Sequence, residues 1–237
     1  MALTFNKLTK DEKVKNLKIA VYGNPGLEKS RYSMNGLENC VVMDIDHGLS
    51  SVDNENISVH NVPTDPEDLM ATITSYNELI DYIKSDENQF KVLVIDIMSK
   101  YSDILAKLYQ ELDPDGWGLN YSIKIEEKMN ELMSLPITVI VLFHESTITD
   151  GERLKKAPML SGNKVRSKIP GYFDVVMRAE VSSNEDENGR AILSWKSRED
   201  VVAKNRLLGM LPEGVTHIGG NSELQNVQDL ISACTKG

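Results

Sequence analysis

Gly23-Asn24-Pro25-Gly26-Leu27-Glu28-Lys29-Ser30 is the stretch whose reading decides the fold. It follows an apolar run, Leu17-Lys18-Ile19-Ala20-Val21-Tyr22, and has the outline of a phosphate-binding loop: glycine, four residues, then glycine, lysine and serine or threonine. Gly23, Lys29 and Ser30 satisfy the pattern, but Glu28 stands where the second glycine belongs. That glycine has no Cβ, accepts positive φ, and lets backbone N–H groups close around phosphate oxygens. On this pattern Gly23, Asn24, Pro25, Gly26, Glu28, Lys29, Ser30 and Arg31 form the nucleotide-binding set. Lys29 would neutralise the β- and γ-phosphates, and Ser30 would ligate Mg²⁺. Glu28 brings a carboxylate toward a polyanion. At about 5 Å and an effective dielectric of ~20, two like charges repel by roughly 3 kcal/mol, about 100-fold in affinity. The loop therefore predicts ATP and Mg²⁺ as ligands and leaves turnover open.

Outward from the loop, the chain reads as alternating strands and helices. A short helix follows Ser30, cut off by Asn35-Gly36, and Cys40-Val41-Val42-Met43-Asp44 is a second buried strand. Residues 53–66 look like loop. A helix over about 66–84 carries Leu69, Ile73, Tyr76, Ile80 and Ile83 at helical spacing. Lys91-Val92-Leu93-Val94-Ile95-Asp96 is an apolar strand capped by a carboxylate, followed by helices at about 102–112 and 121–134. Between those helices, Asp113-Pro114-Asp115-Gly116-Trp117-Gly118 reads as a turn-rich loop with Trp117 at its tip. Further strands fall at 137–143, 173–179 and 191–195, with an acidic hairpin tip over 182–189 and a closing helix over 222–234. Early alternation implies a parallel sheet with helical crossovers, and the closely spaced late strands imply an antiparallel extension. The expected organisation is one α/β domain over 1–237, with a polar lead-in over 1–16 and a basic mobile loop over 147–172.

Several side chains sit where chemistry would need them. Asp96, closing a Val/Ile strand one crossover after the loop, would hold the Mg²⁺ shell. Asp44 and Asp46 end the strand after the loop helix, where a carboxylate could orient or deprotonate an attacking water, or simply cap a solvated turn. His144 follows the strand over 137–143 and could sense the γ-phosphate, or be a surface polar residue. Lys204 and Arg206, one residue apart, would share one face of a strand and could reach a neighbour's phosphates. Arg153, Lys155, Lys156, Lys164, Arg166 and Lys168 form a cationic run without an acid among them, suited to phosphate contacts, while Trp117 and Tyr121 could stack on bases. The bland alternatives are a solvated loop and a tryptophan plugging the edge of the core.

Composition narrows the classes. A net charge of −10 over 237 residues argues against a generic nucleic-acid coat but leaves room for a local basic surface. Cys40 and Cys234 are far apart and outside any metal-ligand spacing, which fits a reducing cytosol. No apolar run approaches the ~20 residues of a membrane span, and the N-terminus lacks a signal-peptide core.

Taken in this order, the loop, Asp96 and Cys40-Val41-Val42-Met43-Asp44-Ile45-Asp46-His47-Gly48-Leu49 resemble the RecA-like P-loop ATPases. The closer resemblance is to small core-only forms encoded by bacteriophages, AAA-type P-loop proteins linked to single-strand annealing and recombination. Asp174-Val175-Val176-Met177-Arg178 and Ala203-Lys204-Asn205-Arg206 extend the match. The resemblance implies a RecA-like core acting on single-stranded DNA in the cytoplasm of a bacterial host. It also implies a homo-oligomer, ring or filament, and partnership with a phage single-strand-binding or recombination protein. Lys204 and Arg206 would act in trans, and the segments near Trp117 and Arg153–Lys168 would face DNA. In such proteins the strand ends in Asp-x-Glu and the glutamate activates water; here Asp46 takes its place, one methylene shorter. Two further readings stand beside this one: a catalytically dead scaffold used for interaction, and a switch that binds ATP without turning it over.

Overall fold

The central strands are apolar from end to end because both of their faces are covered. In a computed structural model of the chain, which describes residues 16–183, 189–211 and 213–236, β1 (Lys18–Gly23), β2 (Cys40–Asp44) and β4 (Val92–Asp96) are buried at every position. Such runs suit interior strands of a parallel sheet. With β3 (Ile57–Asn61), β5 (Thr138–Asp150), β7 (Val175–Val181), β8 (Ala191–Ser194) and β10 (His217–Gly219), they form one sheet in the order β10-β8-β7-β1-β5-β4-β2-β3. β7, β1, β5, β4, β2 and β3 pair in parallel. β8 and β10 continue the sheet antiparallel, β6 (Arg153–Pro158) pairs antiparallel with the far half of β5, and the two-residue β9 (Lys204–Asn205) with β7. The parallel core with an antiparallel C-terminal extension is as the sequence indicates.

Period-two alternation along the strands divides the core. Ala20 and Tyr22 of β1 face a cluster built with α2 (Leu69–Lys84), α3 (Met98–Leu112) and α4 (Trp117–Ser134). Ile19 and Val21 face the opposite cluster, under α1 (Lys29–Met34) and α7 (Val227–Lys236). Two short helices, α5 (Asn163–Arg166) and α6 (Ile169–Tyr172), follow β6.

Four local expectations change. Residues 53–66 are not all loop: Ile57–Asn61 pairs with β2 as the edge strand, its alternation weak because none of its residues is fully buried. α3 starts at Met98, directly after the strand, four residues before the expected start. Trp117 opens α4 rather than tipping a loop, because the Gly116 N–H donates to the Asp113 carboxylate and the chain turns straight into helix. Residues 147–172 are not a loop: β5 runs on to Asp150, turns at Gly151 (φ 64°), and returns as β6, with α5 and α6 beyond. The polar side chains that made this stretch look unstructured belong to a solvated two-stranded arm. Most of the lead-in over 1–16 and of the acidic tip over 182–189 lies outside the described residues.

No helix among the described residues is long and apolar enough to cross a membrane.

Candidate nucleotide site

The site assembles where β1, β2 and β4 end beside the middle of β5, because β5 is inserted between the loop strand and the Asp96 strand. In register, Gly23 lies beside His144 and Asp44 beside Asp96. Parallel sheets place ligands outside the carboxyl ends of their strands, and the loop, both aspartates and the histidine converge on that edge.

The loop itself is formed with a glutamate in a glycine's conformation. Glu28 has φ 52° and ψ 24°, in the left-handed region, and immediately precedes α1. Its carboxylate pairs with Arg31 one turn along the helix, Nη1 to Oε2 2.9 Å. The charge that threatened a polyanion is therefore met by a guanidinium on the helix. Gly26, at φ 81°, takes the second left-handed position. Lys29 is buried, and its Nζ donates to the Asn24 carbonyl at 2.9 Å across the mouth of the loop. Burial lowers its pKa, while the carboxylates of Asp96, Asp46 and Glu145 oppose that shift.

Ser30 donates to Asp96 Oδ2 at 2.9 Å, joining residues 66 positions apart. Burial pushes the Asp96 carboxyl up to about 6; the Ser30 bond and Lys29 work against this, and Asp44 and Asp46 add to it. A hydroxyl and a buried, electrostatically crowded carboxylate in contact are the donor set that Mg²⁺ needs when phosphates complete its shell. Asp44, itself buried, accepts from the backbone of His47 at 2.7 Å, so it shapes the turn. Asp46 instead lines the cavity, with Lys100 Nζ 3.4 Å from its Oδ1.

His144 closes the far wall. Its N–H donates to Ser99 Oγ at 3.0 Å, and its carbonyl accepts from Met159 N–H at 2.8 Å. Burial and the Lys29 charge hold its imidazole pKa below the usual value, and Nδ1 is buried with no hydrogen-bond partner among the described residues. The cavity, of about 240 Å³, is lined by Gly26, Lys29, Ser30, Asp46, Asp96 and His144 among others. Glu28 also borders a second, polar cleft of about 410 Å³, where Arg31, Tyr32 and Asn35 face Arg190, Gln225 and Asn226.

Other candidates are placed elsewhere. Lys204 Nζ donates to the carbonyls of Pro170 and Phe173 at 2.7 and 2.6 Å, so it is tied inward, while Arg206 lies exposed near Asp174 at 3.6 Å. The shared strand face expected for them is thus divided between an interior and a surface role. Tyr121 is fully buried and bonds Ser102, so it is not available for base stacking, while Trp117 packs partly buried against the same core. The cationic run is matched by acids: Lys155 with Asp150 and Lys156 with Glu145 within the β5–β6 arm, Arg153 with Glu199 and Lys168 with Glu126 across the fold. Arg166 donates to the Leu160 carbonyl, and the Lys164 side chain lies outside the described residues. Residues not foreseen are Ser99, Lys100, Glu145 and Arg178. The first two follow closely on Asp96, and Glu145 follows His144, which was the available signal.

A phosphate loop, a serine–aspartate contact and an inserted strand carrying a polar wall define a P-loop NTPase. The chain matches the AAA_24 family, described as an AAA domain, over residues 15–207, and belongs to it. Among solved structures, a prototypical ATPase from the type III secretion system of pathogenic bacteria is similar over 82% of this chain, at 11% identity and a TM-score of 0.48. This chain spans 59% of that protein's length. No curated protein sequence matches it.

Proposed function

We propose that this protein binds Mg-ATP in the cavity between the loop, Asp96 and His144 and hydrolyses it slowly. The observation that supports this most is the Ser30–Asp96 contact beside the buried Lys29, since nothing in the packing of the sheet requires those three polar groups to meet. The triphosphate lies along the loop, and Lys29 exchanges the Asn24 carbonyl for phosphate oxygens. Ser30 and Asp96 would hold Mg²⁺, which when bound would neutralise charge on the β- and γ-phosphates. Asp46 orients the attacking water, and neutral His144 offers a nitrogen at the γ-phosphate end. The nucleoside extends into the polar cleft beyond Glu28 and Arg31.

The finer part of the proposal is that single-stranded DNA is the effector and that copies of the chain assemble around it. Arg153 and Lys168 support it: both are exposed, and surface ion pairs worth at most about 1 kcal/mol yield readily to phosphates. Arg206, exposed and loosely paired, is the residue available to a neighbouring subunit.

Calorimetric titration of Mg-ATP into wild type and Lys29→Ala tests the core of this reading. Binding by the wild type and its loss in the variant are expected. No binding at millimolar nucleotide, with or without DNA, overturns the proposal and leaves the scaffold reading. Turnover stimulated by single-stranded DNA, with stimulation falling steeply with salt, tests the finer part.

A further inference from the structure

We propose that Lys100 is a positioning residue for Asp46. The inference rests on the hydrolysis reading above. Lys100 lies in the first turn of α3, one turn beyond Asp96, and its Nζ stands 3.4 Å from Asp46 Oδ1. The two side chains are 35% and 45% exposed, and an exposed pair of this kind adds at most about 1 kcal/mol to stability. Holding the fold together does not account for it.

Its consequence is local. The Asp46 N–H already donates to the Asp96 carbonyl at 3.2 Å, so the backbone of Asp46 is tied to the end of β4 and its side chain is the part left to place. Lys100 takes Oδ1. Oδ2 then faces Gly48, 3.8 Å from where a Cβ would stand. Asp46 and Gly48 both line the phosphate cavity, whereas Lys100 does not. The ammonium thus approaches the carboxylate from the rim and leaves the other oxygen directed inward. An aspartate has one side-chain torsion fewer than a glutamate, so holding one oxygen sets the other. Both anchors, the Asp96 carbonyl and Lys100, come from a single strand–helix junction, so the metal-binding carboxylate and the water-orienting one keep a constant relation.

The test measures Mg-ATP affinity by calorimetry and single-turnover hydrolysis for wild type, Lys100→Met, Lys100→Arg, Asp46→Asn and the Lys100→Met/Asp46→Asn double variant, with melting midpoints as a folding control. Lys100→Met should bind Mg-ATP within about twofold of wild type while hydrolysis falls by about three- to fivefold, the most by which losing a pair of about 1 kcal/mol can depopulate the oriented carboxylate. Lys100→Arg should restore most of the rate, and the double variant should be no slower than Asp46→Asn alone. Should Lys100→Met fail to fold, Lys100→Gln takes its place. Wild-type turnover in Lys100→Met, or multiplying losses in the double variant, overturns the inference. A wild type that binds Mg-ATP and turns none over also overturns it but leaves the binding reading standing; one that binds none removes that reading as well.

Discussion

Glu28 sits in a backbone conformation that costs a residue with a Cβ roughly 1–2 kcal/mol, and it does so at the position where a phosphate loop has glycine. The strain is accompanied by the Arg31 ion pair, which neutralises the carboxylate close to the loop. Two outcomes follow for Glu28→Gly. Stability to urea should rise by about 1 kcal/mol, because glycine takes the left-handed region without steric cost but loses more chain entropy on folding. Mg-ATP affinity should rise by less than about tenfold, far short of the ~100-fold of an unpaired charge, because the repulsion is already offset. Asp96 leads to a third prediction. Its carboxyl titrates at about 6 in the folded protein and at 3.8 ordinarily, so between those values the folded state binds more protons than the unfolded one. The contribution of Asp96 to stability without ligand should therefore decline as pH rises from about 4 to 6 and then level off, as the difference between wild type and Asp96→Asn in denaturation across that range would show. Mg²⁺ requires the ionised form, so Mg-ATP affinity should weaken below about pH 6, a dependence that Asp96→Asn should remove along with most of the binding.

Among the elements, β1 explains why Gly23 is a glycine for a reason the loop pattern does not contain. A Cβ on Gly23 would stand 2.8 Å from both Cβ and the carbonyl oxygen of Ala179 on β7. The loop begins where two parallel strands approach too closely for a side chain. Gly23→Ala should destabilise the fold by about 1–3 kcal/mol, measurable as a lower urea midpoint, besides any effect on nucleotide. Element type was legible wherever an apolar run or a helical period ran unbroken, as in β2, β4 and α2. It was not legible in the arm of β5 and β6, where both faces are largely solvated and the alternation that marks a strand vanishes. The same cause hid β3 at the sheet edge.

At the scale of the whole molecule, the site is held to the antiparallel extension by a charged seam. Glu145, 3% exposed, accepts from Arg178 Nε of β7 at 2.7 Å, Arg178 bonds Glu180 at 3.1 Å, and Glu180 meets Arg198 at 2.6 Å. Glu145 directly follows His144, so this seam sets where β5 presents the imidazole. Removing Arg178 leaves the buried Glu145 carboxylate only the Lys156 ammonium at 3.4 Å, so part of the about 3–5 kcal/mol cost of an uncompensated buried charge is expected. Arg178→Met should show that loss in chemical denaturation, and pairing it with Glu145→Gln should recover much of it, since the buried carboxylate that lost its nearer partner is then gone.

The sequence alone determined the phosphate loop, the buried parallel strands, and Lys29, Ser30, Asp46 and Asp96 as its polar centre, because each rests on a local pattern: a spacing, a period, or a carboxylate ending an apolar run. Tertiary structure decided what depends on distant residues. The insertion of β5 between β1 and β4 brings His144 to the cavity, and sheet order is set by long-range pairing. Arg153 and Lys168 meet their acids across the fold, Tyr121 is claimed by the core, and Lys204 by two carbonyls. A side chain's charge is written in the chain, but what it faces is settled only when segments from far apart in the sequence pack together.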